Sequence, residues 1–171
     1  MIRNKKLWTI NFGHVLNQVM YDLDVTQKEL AEKTGIRQST IAEYINGKYT
    51  PSITSVVAMA QALGVEYYVL LDVEDYDGPQ KCEYDIYDVV TEHEWLKDFS
   101  FRLRILLMSE RVSQSELSNL TGINQSMISK YVKGDTIPSA FAVVRIAQEL
   151  AYDDDYAELL DFGTLRIDRC R

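Results

Sequence analysis

The stretch "TGIRQSTIAEYING" (residues 34–47) returns 87 positions later as "TGINQSMISKYVKG" (residues 121–134). Sliding the chain on itself by that interval extends the match, without a gap, from residue 8 to residue 66. Identical pairs include Trp8/Trp95, Phe12/Phe99, Leu16/Leu103, Gln27/Gln114, Leu30/Leu117, Gly35/Gly122, Ile41/Ile128, Gly47/Gly134 and Pro51/Pro138. A long match held in one register means two copies of one domain. Two copies are too few to stack as a solenoid, so each has to close a core of its own. A unit of about 65 residues can do so, with little to spare.

Each copy reads as a string of short helices. Phe12, Leu16, Val19 and Leu23 fall at helical spacing, as do Phe99, Leu103, Leu106 and Leu107. Thr26-x-x-Glu29 and Ser113-x-x-Glu116 have the form of capping boxes and announce a second helix. Gly35 and Gly122 end it, at a corner that requires positive φ. A third helix is expected over residues 38–45, with Gly47 beyond it and Ile41, Tyr44, Ile128 and Tyr131 turned to the core. Pro51-Ser52 and Pro138-Ser139 open a fourth, whose buried stripe is Val56, Val57, Ala60 and Leu63 in the first copy. "YYVLLD" and "DYAELLDF" supply a short fifth helix, after a two-residue insertion in the second copy. The expectation is an all-α chain: a first domain over 1–72, an acidic linker over 73–94, a second domain over 95–162 and a tail over 163–171.

Two short helices joined by a glycine corner make a helix-turn-helix. The order T/S-Q-x-E-L-A/S-x-x-T-G-I-x-Q-S-x-I, followed by G-x-x-x-P-S and A-Q-x-L, resembles the phage-repressor and Cro-type family, often called XRE. The resemblance covers residues 12–71 and 99–161 and recurs at capping, turn and core positions in both copies. It implies two tandem five-helix, lambda-repressor-like domains, each laying its third helix in the major groove of double-stranded DNA. The second helix then offers its N-terminus to a phosphate, where free N–H groups and the dipole favour an anion; Gln27 and Gln114 stand there. The third helix turns Arg37, Gln38, Ser39, Thr40 and Glu43 to the base edges in copy one, and Asn124, Gln125, Ser126, Met127 and Lys130 in copy two. Lys48 and Lys133 complete the expected contact set. Two positions depart from the family. Met20 and Leu107 stand where a basic residue late in the first helix often reaches a phosphate. Ile45 and Val132 stand where a glutamate commonly precedes the closing glycine, and as apolar residues they are candidates for a partner surface.

A net charge of −8 argues against general attraction to nucleic acid. Its distribution answers part of that objection. Residues 72–98 hold ten acidic and two basic side chains, whereas residues 99–150 hold four acidic and six basic. Residues 12–71 hold six acidic and four basic, so acidity concentrates in the linker and in Asp153-Asp154-Asp155. Copy two, with Arg102, Arg104, Lys130 and Lys133, is expected to bind DNA better. Glu43 on the reading face of copy one repels phosphates unless it accepts from a cytosine amino group. In the linker, Cys82, Tyr84 and Ile86 alternate with acidic residues in a faint strand pattern. Fully extended, the linker reaches ~80 Å, more than the ~34 Å between half-sites one turn apart. The basic tail is expected to be disordered.

The other function classes find less support. His14 and His93 lie in no metal or triad spacing, no glycine-rich phosphate loop occurs, and the carboxylates have no pocket, so an enzyme is not expected and no cofactor is called for. Cys82 and Cys170 read as free thiols of a reducing cytoplasm. No apolar run approaches the ~20 residues of a membrane helix. A bacterial or phage-encoded cytoplasmic regulator, most simply a repressor, is therefore expected, either as a homodimer or engaging DNA through both copies. The alternative is a helix-turn-helix protein turned to protein binding, as an antirepressor or antitoxin-like inhibitor.

Overall fold

The computed structural model describes residues 4–74, 78, 79, 88–150, 159 and 165–168. The chain divides into two compact units, Met1–Asp85 and Ile86–Arg171. Among the described residues of the first, five helices follow one another: α1 (Lys5–Asp22), α2 (Gln27–Thr34), α3 (Gln38–Ile45), α4 (Ile53–Leu63) and α5 (Tyr67–Leu71). In the second, β1 (Asp88–Thr91) leads into α6 (Glu92–Ser109), α7 (Gln114–Thr121), α8 (Gln125–Lys133) and α9 (Ala140–Leu150), with β2 (Leu165–Asp168) at the end. The fold is that of tandem all-α domains. The fifth helix expected at "DYAELLDF" (residues 155–162) lies outside the described residues, apart from buried Leu159.

The first helix of each unit is longer than the spacing of Phe12 and Phe99 implies. In unit one, Asn4 caps it, its Oδ1 accepting from the N–H groups of Lys6 and Leu7. In unit two, Thr91 and Glu94 form a capping box within the segment expected to be linker. This extra turn brings Trp8 onto Phe12, with ring centroids 5.4 Å apart, and Trp95 onto Phe99 at 5.2 Å. All four rings are buried, each worth about 3 kcal/mol of transfer from water. Leu23, by contrast, is only half-buried, because the helix stops at Asp22 and Leu23 is its cap.

The chain ends also differ from expectation. β1 and β2 pair in parallel, Asp88 with Leu165 through Thr91 with Asp168. The expected disorder of the tail therefore fails at residues 165–168, where ladder hydrogen bonds to β1 hold the backbone, and both strands lie against α6. The strand pattern read at Cys82, Tyr84 and Ile86 falls outside the described residues.

Within unit one, α1 packs on α3 and α5, while α2 packs on α3 and α4. The closest approach is at Gly13: an added Cβ would lie 2.3 Å from the Ile45 carbonyl oxygen and 2.6 Å from that of Tyr44. The equivalent residue of unit two is Ser100, which is buried, donates to the Lys97 carbonyl at 2.8 Å, and brings its Oγ 3.3 Å from a Cβ placed on Gly134. The helix pair that holds the third helix is thus built to two different spacings. One feature is common to both units: Asp24 (φ 54°) and Arg111 (φ 56°), equivalent residues before the second helix, both adopt the left-handed conformation.

Candidate nucleic-acid interface

The corner between second and third helices is made the same way twice. Gly35 and Gly122 take φ of 69° and 72° as the second helix ends. Beside each, a buried threonine ties the turn together. Thr34 donates to the Leu30 carbonyl at 2.7 Å and accepts the Ile36 N–H at 3.2 Å. Thr121 does the same with Leu117 at 2.6 Å and Ile123 at 3.2 Å. In unit two Ser118 adds a bond to the Ile123 carbonyl at 2.7 Å. Thr34 and Thr121 were legible as identical residues of the repeat, but their spacing alone does not separate a turn brace from a surface polar residue.

On this frame the third helix stands with one side in the core. Ile41, Ile128 and Tyr131 are buried, and Tyr44, expected in the core, is half-buried. Arg37, Gln38 and Ser39 are exposed at the start of α3, with Thr40 and Glu43 half-buried along it. Asn124, Gln125 and Ser126 are exposed at the start of α8; Met127 is half-buried, and Lys130 and Lys133 are exposed in its last turn. Asn124 is committed in part to its own helix: its Oδ1 accepts the Ser126 N–H at 2.9 Å, which leaves its amide NH2 to face outward. Arg37 occupies the same cap position, where its side chain makes no capping hydrogen bond and is exposed.

Gln27 and Gln114 are the first residues of α2 and α7, both half-buried. The capping boxes beside them are complete. Thr26 Oγ1 accepts the Glu29 N–H at 3.2 Å while Glu29 accepts the Thr26 N–H at 2.8 Å. Ser113 and Glu116 repeat the exchange at 3.1 and 2.8 Å. Hydrogen bonds from the Thr26 side chain and then its backbone hold Glu29 below the ordinary glutamate pKa of 4.5; for Glu116 the Ser113 backbone leads and its side chain follows. Both carboxylates therefore stay ionised at neutral pH, and the support they give is lost only as pH falls through the lowered pKa. Each also stands in the first turn of its helix, where a carboxylate reduces the pull of the dipole on any other anion.

The two departures from the family pattern acquire reasons. Met20 and Leu107 are buried, 4% and 9% exposed, so apolar side chains suit them and a basic one would be stranded. Ile45 and Val132 are half-buried, and α1 rests directly on the Ile45 carbonyl. Glu43 is not a bare repulsive charge either: Lys48 Nζ donates to it at 2.7 Å and lies 5.1 Å over the Tyr49 ring. That bond holds the Lys48 ammonium above its usual pKa. Lys130, at the position of Glu43, has no ion-pair partner among the described residues.

One positioning residue escaped the sequence reading. Arg145 of α9 is 2% exposed, and its guanidinium donates to the Leu120 carbonyl at 3.0 Å, to Gln148 and to Glu149, both at 2.8 Å. It thereby binds the carbonyl end of α7 to the fourth helix of its unit. Copy one has Ala58 there, so the repeat gives no warning of it. Among the described residues, no group of histidine, cysteine and acidic side chains is arranged to hold a metal, and no helix is long and apolar enough to cross a membrane.

Comparison with known proteins returns the same two regions. A sequence profile described as helix-turn-helix matches residues 22–70 and 103–156. An uncharacterized HTH-type transcriptional regulator of Methanothermobacter thermautotrophicus is 39% identical over 57 residues, 33% of this chain and 83% of the relative. The immunity repressor protein of Bacillus phage phi105 is 27% identical over 73 residues, 43% of this chain and 51% of the relative. Replication factor C small subunit of Thermococcus kodakarensis is 28% identical over 137 residues, 78% of this chain but 15% of that protein's length. No solved structure matches the chain.

Proposed function

The chain belongs to the phage-repressor and Cro-type helix-turn-helix family, in two tandem copies, and from that premise we propose that it is a DNA-binding transcriptional regulator that represses by laying α3 and α8 in the major groove. The observation that carries this reading is the contrast within each third helix. Its inner side is sealed by Ile41 or Ile128, both fully buried, while its first turn presents Arg37-Gln38-Ser39 or Asn124-Gln125-Ser126 to solvent. Glutamine, asparagine and arginine are the side chains suited to two-point contacts with adenine and guanine edges.

The two reading helices share glutamine and serine but differ at every other outward position. One chain that engages DNA with both units therefore recognises a site of two unlike halves. Lys130 and Lys133 make unit two the stronger contributor to phosphate binding. With about six phosphates engaged, log K falls with log salt at a slope of roughly −5, and non-specific binding is weak. Such a regulator acts in the cytoplasm, where the DNA is, and needs no cofactor for this work.

Selection of bound duplexes from a random pool tests the reading. Enrichment of a motif with two dissimilar segments, each lost on Gln38→Ala or Gln125→Ala respectively, is the expected result. A pool that stays random after repeated rounds contradicts it and favours a protein-binding role.

A further inference from the structure

The outer side of α6 is apolar where a surface helix of a small domain is ordinarily polar. Phe101, Ile105 and Met108 are 56%, 49% and 75% exposed. Their spacing of four and then three residues is that of a helix–helix seam. At about 100° per residue they lie roughly opposite the buried stripe of Trp95, Phe99, Leu103 and Leu107, so they face away from the core of the unit. An open groove of about 390 Å³, lined by Asp98, Phe101, Arg102, Ile105 and Leu106, runs beside them. The fold does not require this face: the equivalent residues of α1 are His14, Gln18 and Tyr21, and unit one closes its core as well.

We propose that this face binds a second copy of the chain, α6 against α6, antiparallel about a two-fold axis at Ile105. A two-fold contact has to be self-complementary, and the seam is. With Ile105 facing its own copy, Phe101 faces Met108 of the second copy, and that methionine enters the groove beside Phe101. The same register sets Asp98 opposite Arg111 of the second copy, at both ends of the seam. Asp98 and Arg111 carry opposite charge; Arg111 is exposed, and Asp98 is half-buried and already accepts from Arg102 Nε at 2.7 Å, so Arg111 of the second copy would extend that pair. A parallel pairing would set each charge against its own kind. The seam is much smaller than the roughly 1,200–2,000 Å² of a stable interface, so the dimer is a weak one. It doubles the number of reading helices without covering α8, which packs on the other side of α6.

Sedimentation equilibrium of the full chain without DNA tests this separately from the DNA reading. The expected result is monomer at about 1 μM and dimer at about 100 μM, in the weak range for such a small contact. Met108→Glu and Ile105→Asp, both at exposed positions, are expected to weaken the dimer at least tenfold with an unchanged far-ultraviolet spectrum, whereas Tyr21→Asp leaves it intact. Asp98→Arg weakens it, and adding Arg111→Asp restores it; aspartate already holds the equivalent left-handed position at Asp24. A chain that is monomeric throughout, a dimer indifferent to Met108→Glu and Ile105→Asp, or a double swap without recovery overturns the proposal. Loss of the dimer on Tyr21→Asp instead would place the contact on the other unit and overturn it equally.

Discussion

Lys48 Nζ lies 2.7 Å from the Glu43 carboxylate, and the equivalent residues of the second unit carry the opposite charges, Lys130 and Asp135. In unit one the acid is on the third helix and the base in the loop after it; in unit two the base is on the helix. The acid of unit one is neutralised locally, with 36% of the Glu43 side chain and 58% of the Lys48 side chain exposed. As a surface pair it contributes little to stability, so its consequence is for binding.

That inversion predicts opposite effects of two substitutions on affinity for a selected duplex. Lys130→Ala is expected to weaken binding about tenfold and to flatten the salt slope by roughly one. Glu43→Gln releases Lys48 for a phosphate and is expected to strengthen binding several-fold, with a steeper slope. Fluorescence anisotropy across a salt series checks both. Equal losses from the two variants would mean that Glu43 accepts a hydrogen bond from a base.

The contact at Gly13 predicts an asymmetry in stability. Gly13→Ala drives a methyl group into the carbonyls of Tyr44 and Ile45, which are backbone and cannot swing away. A loss of about 3 kcal/mol from unit one is expected. Ser100→Ala, at the equivalent place, loses one hydrogen bond and should cost about 1 kcal/mol. Each unit carries a single tryptophan, Trp8 or Trp95, so urea unfolding of Trp95→Phe and Trp8→Phe backgrounds reports the two units separately.

Arg145→Met is expected to destabilise unit two by about 3 kcal/mol and leave unit one unchanged. It removes a buried cation from beside Glu149 and leaves the Leu120 carbonyl without its donor. Because that carbonyl belongs to the last turn of α7, the corner before α8 should loosen as well. Amide exchange at Ile123 and Asn124 is then faster than in the parent, at a denaturant concentration where the unit is still folded.

Arg111 has a side chain in a conformation that favours glycine. Arg111→Gly is expected to stabilise unit two by up to about 1 kcal/mol, the left-handed penalty less the added freedom of the unfolded chain. For a domain of this size that is a rise of roughly 4–8 °C in melting temperature. Asp24→Gly gains less, since aspartate tolerates the left-handed region. A calorimetric scan with no rise for Arg111→Gly would show that the arginine side chain offsets the strain.

Much of this architecture could be read directly from the chain because the repeat states its own punctuation twice. The third helix of unit one spans Gln38–Ile45 as its glycines and apolar spacing required, and both predicted capping boxes form. What was not legible depends on contacts distant in sequence. Asn4 and the box at Thr91 and Glu94 lengthen the first helices, yet neither belongs to the repeat. The pairing of β1 with β2 joins segments more than seventy residues apart that no local pattern connects. At the candidate interface, Arg37, Gln38, Ser39, Asn124, Gln125, Ser126 and Lys130 are exposed, whereas Thr40, Glu43 and Met127 are half-buried along their helices. The Glu43–Lys48 bond and the Arg145 brace needed coordinates, because each depends on how a long side chain folds back on its own unit.

Probing guanine N7 with dimethyl sulfate on a selected duplex tests the central claim most directly, because that atom lies in the major groove alone. The prediction is two clusters of protected guanines, one lost with Arg37→Ala and Gln38→Ala, the other with Gln125→Ala and Lys130→Ala. Protein bound to the duplex with every N7 still reactive, or protection indifferent to those four residues, would contradict it.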